Sequence, residues 1–234
     1  MRLFLSFIAL FGMALNINAL DIPEIFGNDM ILQRNTQCKI WGWAEANHYV
    51  RIVTGWDNHC YQVKAGSDGA WKVEVKTPEA SYNTYDITFT EYISDPEKKA
   101  KGNQPIATSV SKDVLIGEVW FCSGQSNMEM PLGGFWNCPV EGANETILES
   151  KKYNRSIRVA TIAKDGKQEP QKMVAGKWEK AEPKNASRFS ACAYYFATTL
   201  TDALDVPVGV INCSWGGSCV EGWLPKEILL TYPD

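Results

Sequence analysis

The sequence predicts a β-sandwich-like unit over residues 20–112, followed by an α/β unit over 113–234. Three observations carry that expectation. Up to Lys112 apolar and polar residues alternate with a period of two; after Asp113 the pattern becomes strand, loop, helix, strand; and residues 114–122 form a nearly continuous apolar run. Period two marks strands with one wet face, whereas an unbroken apolar run marks a strand covered on both faces, as in a parallel sheet. With 45% apolar and 12% aromatic residues, the chain has the composition of a globular protein rather than a disordered one.

The first nineteen residues, MRLFLSFIALFGMALNINA, hold one basic residue, Arg2, an apolar run over 3–15, and the small residue Ala19 at their end. This is the pattern of a secretory signal peptide cleaved between Ala19 and Leu20. The run is shorter than the roughly 20 residues that span a bilayer, and no later segment is long enough, so no stable membrane insertion is expected. Short strands are expected at 39–43, 49–53, 70–75 and 85–90, separated by turn signals such as Ser67-Asp68-Gly69, with 106–110 as the last strand of the first unit. A polar loop, 95–103, interrupts them. In the second unit a helix is expected at 143–153, a strand at 157–163 and a long polar connection at 164–185. A helix at 190–204 puts Cys192, Ala193, Phe196, Ala197, Leu200, Ala203 and Leu204 on one stripe, and 206–213 follows as a buried strand. Trp41, Trp43, Trp71 and Trp120 fall in strand patterns and are expected in the core. Layering of this kind gathers ligand sites at the carboxyl ends of the strands.

Removal of the signal takes Arg2 with it and moves the formal net charge from -4 to about -5. No basic patch stands out, which excludes nucleic acid as the expected partner. Seven cysteines (38, 60, 122, 138, 192, 213 and 219) are an odd number, so in a compartment that permits disulfides at least one thiol is unpaired within the chain. There is no C-x-x-C pair or Cys/His cluster, and no metal or other cofactor is expected. Four Asn-x-Ser/Thr sequons, at Asn144, Asn154, Asn185 and Asn212, are read as chance occurrences.

The chemistry is expected where the buried strands end. In EVWFCSGQSNMEM, residues 118–130, two serines bracket a Gly-Gln pair directly after the apolar run. Ser126 lies four residues beyond Cys122, where the chain must leave the sheet, and Gly124 supplies the backbone freedom for a tight turn. A serine there exposes its hydroxyl at the rim, and neighbouring backbone N–H groups can face a developing oxyanion. Spacing alone also allows Ser126 to do no more than cap the turn. Ser123, nearer the strand, reads as a turn residue. A second loop, VGVINCSWGGS at 208–218, likewise runs from a buried strand into Gly216-Gly217, where backbone amides can approach a ligand closely.

These blocks carry a resemblance. Gly117-Glu118-Val119-Trp120 running into Cys122-Ser123-Gly124-Gln125-Ser126-Asn127-Met128, then Phe189-Ser190-Ala191, then the 207–217 segment with Glu221-Gly222-Trp223, resembles the sialate O-acetylesterase family. Asn28-Asp29-Met30-Ile31-Leu32-Gln33 adds to the likeness, which covers essentially the whole chain after residue 19. The resemblance implies a secreted, periplasmic or lysosomal serine esterase of the SGNH hydrolase group, with a flavodoxin-like three-layer catalytic fold. It implies Ser126 as nucleophile and an oxyanion hole made by the Ser126 N–H and by Gly216 or Gly217, between which the sequence does not choose. The implied substrate is an O-acetylated sialic acid or another acetylated glycan.

One part of the family pattern is missing. The third block, around Gln-Gly-Glu, and the Asp-x-x-His pair that supplies the base have no counterpart here, and the only histidines are His48 and His59 in the β region. The expectation is therefore the N-terminal part of an esterase, inactive by itself. Two alternatives stay open. One is a deacetylase of xylan or another neutral polysaccharide, which would not need a cation such as Arg34, Arg155, Arg158 or Arg188 at the site. The other is a secreted carbohydrate-binding protein without turnover.

Overall fold

The computed structural model describes residues 20–98, 104–167, 169 and 171–232. The signal sequence expected at 1–19 lies outside them. The alternating region forms β1 (Leu20–Asp21), β2 (Ile31–Gln33), β3 (Gln37–Ala44), β4 (Tyr49–Thr54), β5 (Cys60–Lys64), β6 (Ala70–Lys76) and β7 (Ser81–Tyr92). β8 (Pro105–Gly124) runs from this region into the next. There follow α1 (Ser126–Glu129), α2 (Ala143–Glu149), β9 (Ile157–Thr161), β10 (Trp178–Lys180), α3 (Pro183–Ala186), α4 (Ala191–Leu204), β11 (Val208–Ser214) and α5 (Lys226–Leu229).

The strands make a three-stranded antiparallel sheet, β1-β3-β6, and a mixed eight-stranded one in the order β10-β9-β11-β8-β7-β4-β5, with β2 paired to β8. Ile40, Trp71 and Val75 of the small sheet meet Val50, Ile52, Ile87, Phe89, Val114 and Ile116 in one buried cluster. A second cluster joins Ile157, Val159, Val208 and Val210 to Ala193, Tyr194 and Ala197 of α4. Each large apolar side chain so buried contributes about 1.5–3 kcal/mol of transfer free energy. The fold is thus a mixed sheet with few helices.

β8 is the hinge of the arrangement. Its first half pairs antiparallel with β7, and residues Glu118 to Gly124 pair parallel with β11. The unit boundary expected at 112/113 falls inside this continuous strand, at Asp113, whose φ of 57° lies in the left-handed region. The carboxylate of Asp113 and that of Asp29 close around Arg158, a side chain only 2% exposed on β9 (Nη1 to Asp29 Oδ1 2.8 Å, Nη2 to Asp113 Oδ1 3.2 Å). Lys180 of β10 adds a second cation to both carboxylates. Burial pushes the Asp113 carboxyl up, but Lys180 and Arg158 more than offset this and hold it below the usual carboxylate range. Four residues further along β8, a Cβ on Gly117 would lie 2.0 Å from the Pro207 carbonyl oxygen, so only glycine lets the chain entering β11 pass this close.

Several expectations are corrected. The connection at 164–185 holds β10 and α3, because Trp178 finds a buried slot with its indole N–H on the Ile25 carbonyl (2.8 Å). The helix expected at 143–153 is α2 followed by a 3-10 turn, Ser150–Tyr153. The inward stripe of α4 is Ala193, Tyr194, Ala197 and Thr201, whereas Cys192, Phe196, Ala203 and Leu204 are exposed. The reason is the sheet beneath it: among the described residues, Glu118 to Gly124 of β8 pair with β11 alone, and that side of α4 overhangs an open edge. Trp120 on that edge is 44% exposed and packs edge-on against Phe196, and Trp41 is likewise exposed beside Phe26, so neither is a core tryptophan. Trp71 is buried as expected. Ser123 is a strand residue opposite Cys213, not a turn residue. Asn185 and Asn212 are buried, which rules out glycan attachment there in the folded chain. Among the described residues no helix is long and apolar enough to cross a membrane.

Candidate active site

The site follows from the parallel pairing of β8 with β11. Their ladder ends at Ser214 opposite Gly124, so the two loops leave the sheet side by side at its carboxyl end. Gly124 (φ 155°) turns the chain out of β8, and Ser126 opens the one-turn helix α1, which stops before Pro131. Three contacts then join the loops. The Trp215 N–H donates to the Gly124 carbonyl (2.9 Å), the Gln125 side-chain amide donates to the Ser218 carbonyl, and the Gly216 N–H donates to the Glu129 carboxylate.

Ser126 is exposed and meets the second loop directly. A Cβ on Gly216 would sit 3.2 Å from Ser126 Oγ and 2.7 Å from Glu129 Oε2, so the absence of a side chain is what brings loop and hydroxyl together. As the first residue of α1, Ser126 has an N–H without an intrahelical partner. Gly217 (φ 76°) has open space around it, and its N–H makes no hydrogen bond among the described residues.

Beside Gly216 opens a cavity of about 800 Å³, walled by Trp215, Trp223, Met173, Val174 and Lys164 among others. The Trp223 indole N–H donates to Ser218 Oγ (2.8 Å), and that hydroxyl donates to the Trp215 carbonyl (2.7 Å), tying the far wall to the glycine loop. Trp215 and Trp223 remain exposed, at 40% and 37%. Lys164 bonds Glu129 and stands 6.0 Å from the Trp215 ring centroid. The Lys164 ammonium, then the Gly216 N–H, hold the Glu129 carboxyl below the usual carboxylate range.

The structure sets Gly216 against Ser126, with Gly217 next in the same loop, and brings none of the other candidates there. His48 bonds the buried Glu91 (2.7 Å) and His59 packs against Tyr61 (4.4 Å between rings), both in the β region. Arg34 is paired with Glu118, Arg158 with Asp29 and Asp113, and Arg188 with Glu179, while Arg155 lines a separate cleft with Tyr82. The cations at the pocket are instead Lys164 and Lys167, the latter 3.2 Å from Asp165. Sequence reasoning missed Glu129 and Lys164. The available signal was that Glu129 follows Ser126 by three residues, the spacing that shares one face of a helical turn.

Comparison with known proteins gives a consistent class. In the solved structures the chain matches a carbohydrate acetylesterase from Xanthomonas citri with a TM-score of 0.76 and 28% identity, over 91% of this chain and 44% of that one. No family model matches. Among curated proteins it is similar to the sialate O-acetylesterase of Homo sapiens, 28% identical over 211 residues, or 84% of this chain and 37% of that protein. It is also similar to the enzyme of the same name from Mus musculus, 32% identical over 122 residues, which is 50% of this chain and 22% of that protein. The chain is thus a homologue of carbohydrate esterases, and the curated relatives it matches are named sialate O-acetylesterase. It spans little more than a third of the length of the human relative.

Proposed function

We propose that these residues form the N-terminal part of a secreted carbohydrate O-acetylesterase that removes acetyl groups from sialic acids, with Ser126 as its nucleophile. The observation that carries the reading is the contact of Ser126 with the glycine loop at the carboxyl ends of β8 and β11. In the reaction Ser126 Oγ attacks the acetyl carbonyl as a base takes its proton. The Ser126 N–H and a glycine N–H hold the oxyanion, the sugar hydroxyl leaves with a proton, and water then releases acetate from the serine. Trp215 and Trp223 give the sugar two apolar faces, and Lys164 and Lys167 give an acidic sugar its cationic surroundings.

The bond of His48 to Glu91 and the place of His59 beside Tyr61, both in the β region, argue against either as the base. Without it the serine stays protonated at neutral pH, and the chain alone turns over no ester at a useful rate. The open edge of β8, with Trp120 and Phe121 exposed at 44% and 65%, supports a catalytic unit that needs further cover. Residues 20–112 then form a β-sandwich-like unit and residues 113–234 an incomplete three-layer unit. Export with cleavage after Ala19 is part of the proposal; an intact mass that retains Met1 in a membrane fraction contradicts it.

A second reading, a deacetylase of neutral polysaccharide, draws support from the pairing of both pocket lysines with carboxylates, Lys164 with Glu129 and Lys167 with Asp165. Acetate release by the full-length gene product from O-acetylated sialic acid and from acetyl-xylan, side by side, separates the two. Faster release from the sialic acid is the expected result. Release from neither substrate, with binding retained, supports a carbohydrate-binding protein instead.

A further inference from the structure

The serine turn and the glycine loop could have been joined by backbone contacts alone, yet an ionised side chain stands between them. Glu129 lies in the same helical turn as Ser126, accepts the Gly216 N–H on one oxygen and bonds Lys164 with the other. A backbone amide has one hydrogen, so the Gly216 N–H can serve an acyl oxyanion only after the Glu129 carboxylate is displaced. That displacement would break a charge-assisted hydrogen bond and separate a carboxylate from its ammonium partner. Gly217 differs: its N–H makes no hydrogen bond among the described residues, and the space beside its Cα is open. The Trp215 N–H and the Gln125 side chain pin the same loop on either side, so the position of Gly217 relative to Ser126 is set by these contacts together with Glu129.

We propose that Glu129 is a positioning residue of the acyl-transfer site. It engages the Gly216 N–H, fixes the glycine loop against the serine turn, and leaves the Gly217 N–H as the donor to the acyl oxygen. This rests on the reading of Ser126 as the nucleophile. It chooses between two glycines that the sequence left equal, and it gives the carboxylate a role that involves no contact with substrate. Lys164 is the counter-ion that keeps Glu129 in place.

The test is an NMR titration of the ¹⁵N-labelled full-length gene product with acetate, the carboxylate product of the reaction, in the wild type, Glu129→Gln and Glu129→Ala. In the wild type acetate is expected to shift the Gly217 and Ser126 amide signals and leave Gly216 in place. Glu129→Gln keeps an oxygen that accepts the Gly216 N–H, so the Gly217 response should persist. Glu129→Ala removes the acceptor, and hydrogen exchange at Gly216 should speed up by roughly tenfold, the worth of one charge-assisted hydrogen bond. The acetate response at Gly217 should fall with it. If acetate instead shifts Gly216, and more strongly in Glu129→Ala, the carboxylate is an occupant of the oxyanion position and the proposal is overturned. If acetate moves no amide of either loop while Gly216 still depends on Glu129, the reading of Ser126 fails and takes the proposal with it.

Discussion

Ser126 and Gly216 are in contact across the ends of two parallel strands: a methyl group on Gly216 would lie 3.2 Å from Ser126 Oγ. That methyl would also stand 2.7 Å from the Glu129 carboxylate, so it cannot be accommodated by moving the hydroxyl alone. Gly216→Ala in the full-length gene product is expected to push the glycine loop, and with it the Gly217 N–H, off the serine and to lower kcat by about 10²–10³, the scale of losing one oxyanion donor, with the thermal midpoint little changed. Parallel measurements of acetate release and melting check this. Unaltered turnover would mean that the loop does not approach the serine in the working enzyme.

Arg158 holds two carboxylates that the chain presents from strained left-handed positions, Asp29 and Asp113. Arg158→Ala is expected to cost about 3 kcal/mol, the lower end for breaking a buried pair, since both aspartates keep some access to water. Denaturant unfolding of the purified chain measures it. A cost below about 0.5 kcal/mol, the range of ordinary surface changes, would show that the cluster does not hold β9 to β8.

Acid should weaken the same cluster. Because the folded Asp113 carboxyl is held below its ordinary value, its stabilising effect is fully present above about pH 4, the ordinary carboxylate range, and is lost as the pH falls through the lowered value. Unfolding followed between neutral pH and pH 2 should show a stability loss that Asp113→Asn reduces. An identical pH profile in the variant would contradict it.

His48 and His59 should behave differently from catalytic residues and from each other. Glu91 is fully buried, His48 gives it a 2.7 Å partner, and Glu91 Oε2 has no partner among the described residues. Removing His48 leaves a buried carboxylate with only the Glu45 N–H, at an expected cost of about 3 kcal/mol for His48→Ala. The exposed His59 should cost less than about 0.5 kcal/mol when replaced by alanine. Neither change should slow the full-length enzyme under conditions where it stays folded; a large loss of kcat at either would place the base in this chain.

Much of the fold was legible because its causes are local. β3, β4, β6 and β7 follow from side chains that alternate between core and water, and β11 from an apolar run covered on both faces. What was not legible depends on distant neighbours. β10 exists because Trp178 reaches the Ile25 carbonyl, a relation no window around residue 178 reveals. The stripe of α4 is rotated, and Trp120 exposed, because the β8 edge beneath them is open. The same division holds at the site. Ser126 and the Gly216-Gly217 pair stand at strand ends that the pattern marks, whereas Lys164 reaches Glu129 from a polar connection 35 residues away and had no local signature.

The central claim is that Ser126, and not Ser123 three residues before it, is the nucleophile of an O-acetylesterase. Ser123 sits in the β8–β11 ladder opposite Cys213, while Ser126 opens α1 with its Oγ beside Gly216 of the glycine loop. The direct measurement is acetate release from O-acetylated sialic acid by the full-length gene product, compared with Ser126→Ala and Ser123→Ala. A fall of roughly 10⁶ in kcat for Ser126→Ala, the cost of losing a serine that acts as a unit with its base, with a far smaller effect of Ser123→Ala, is the predicted result. Turnover that survives Ser126→Ala, or that is lost instead with Ser123→Ala, would contradict the account.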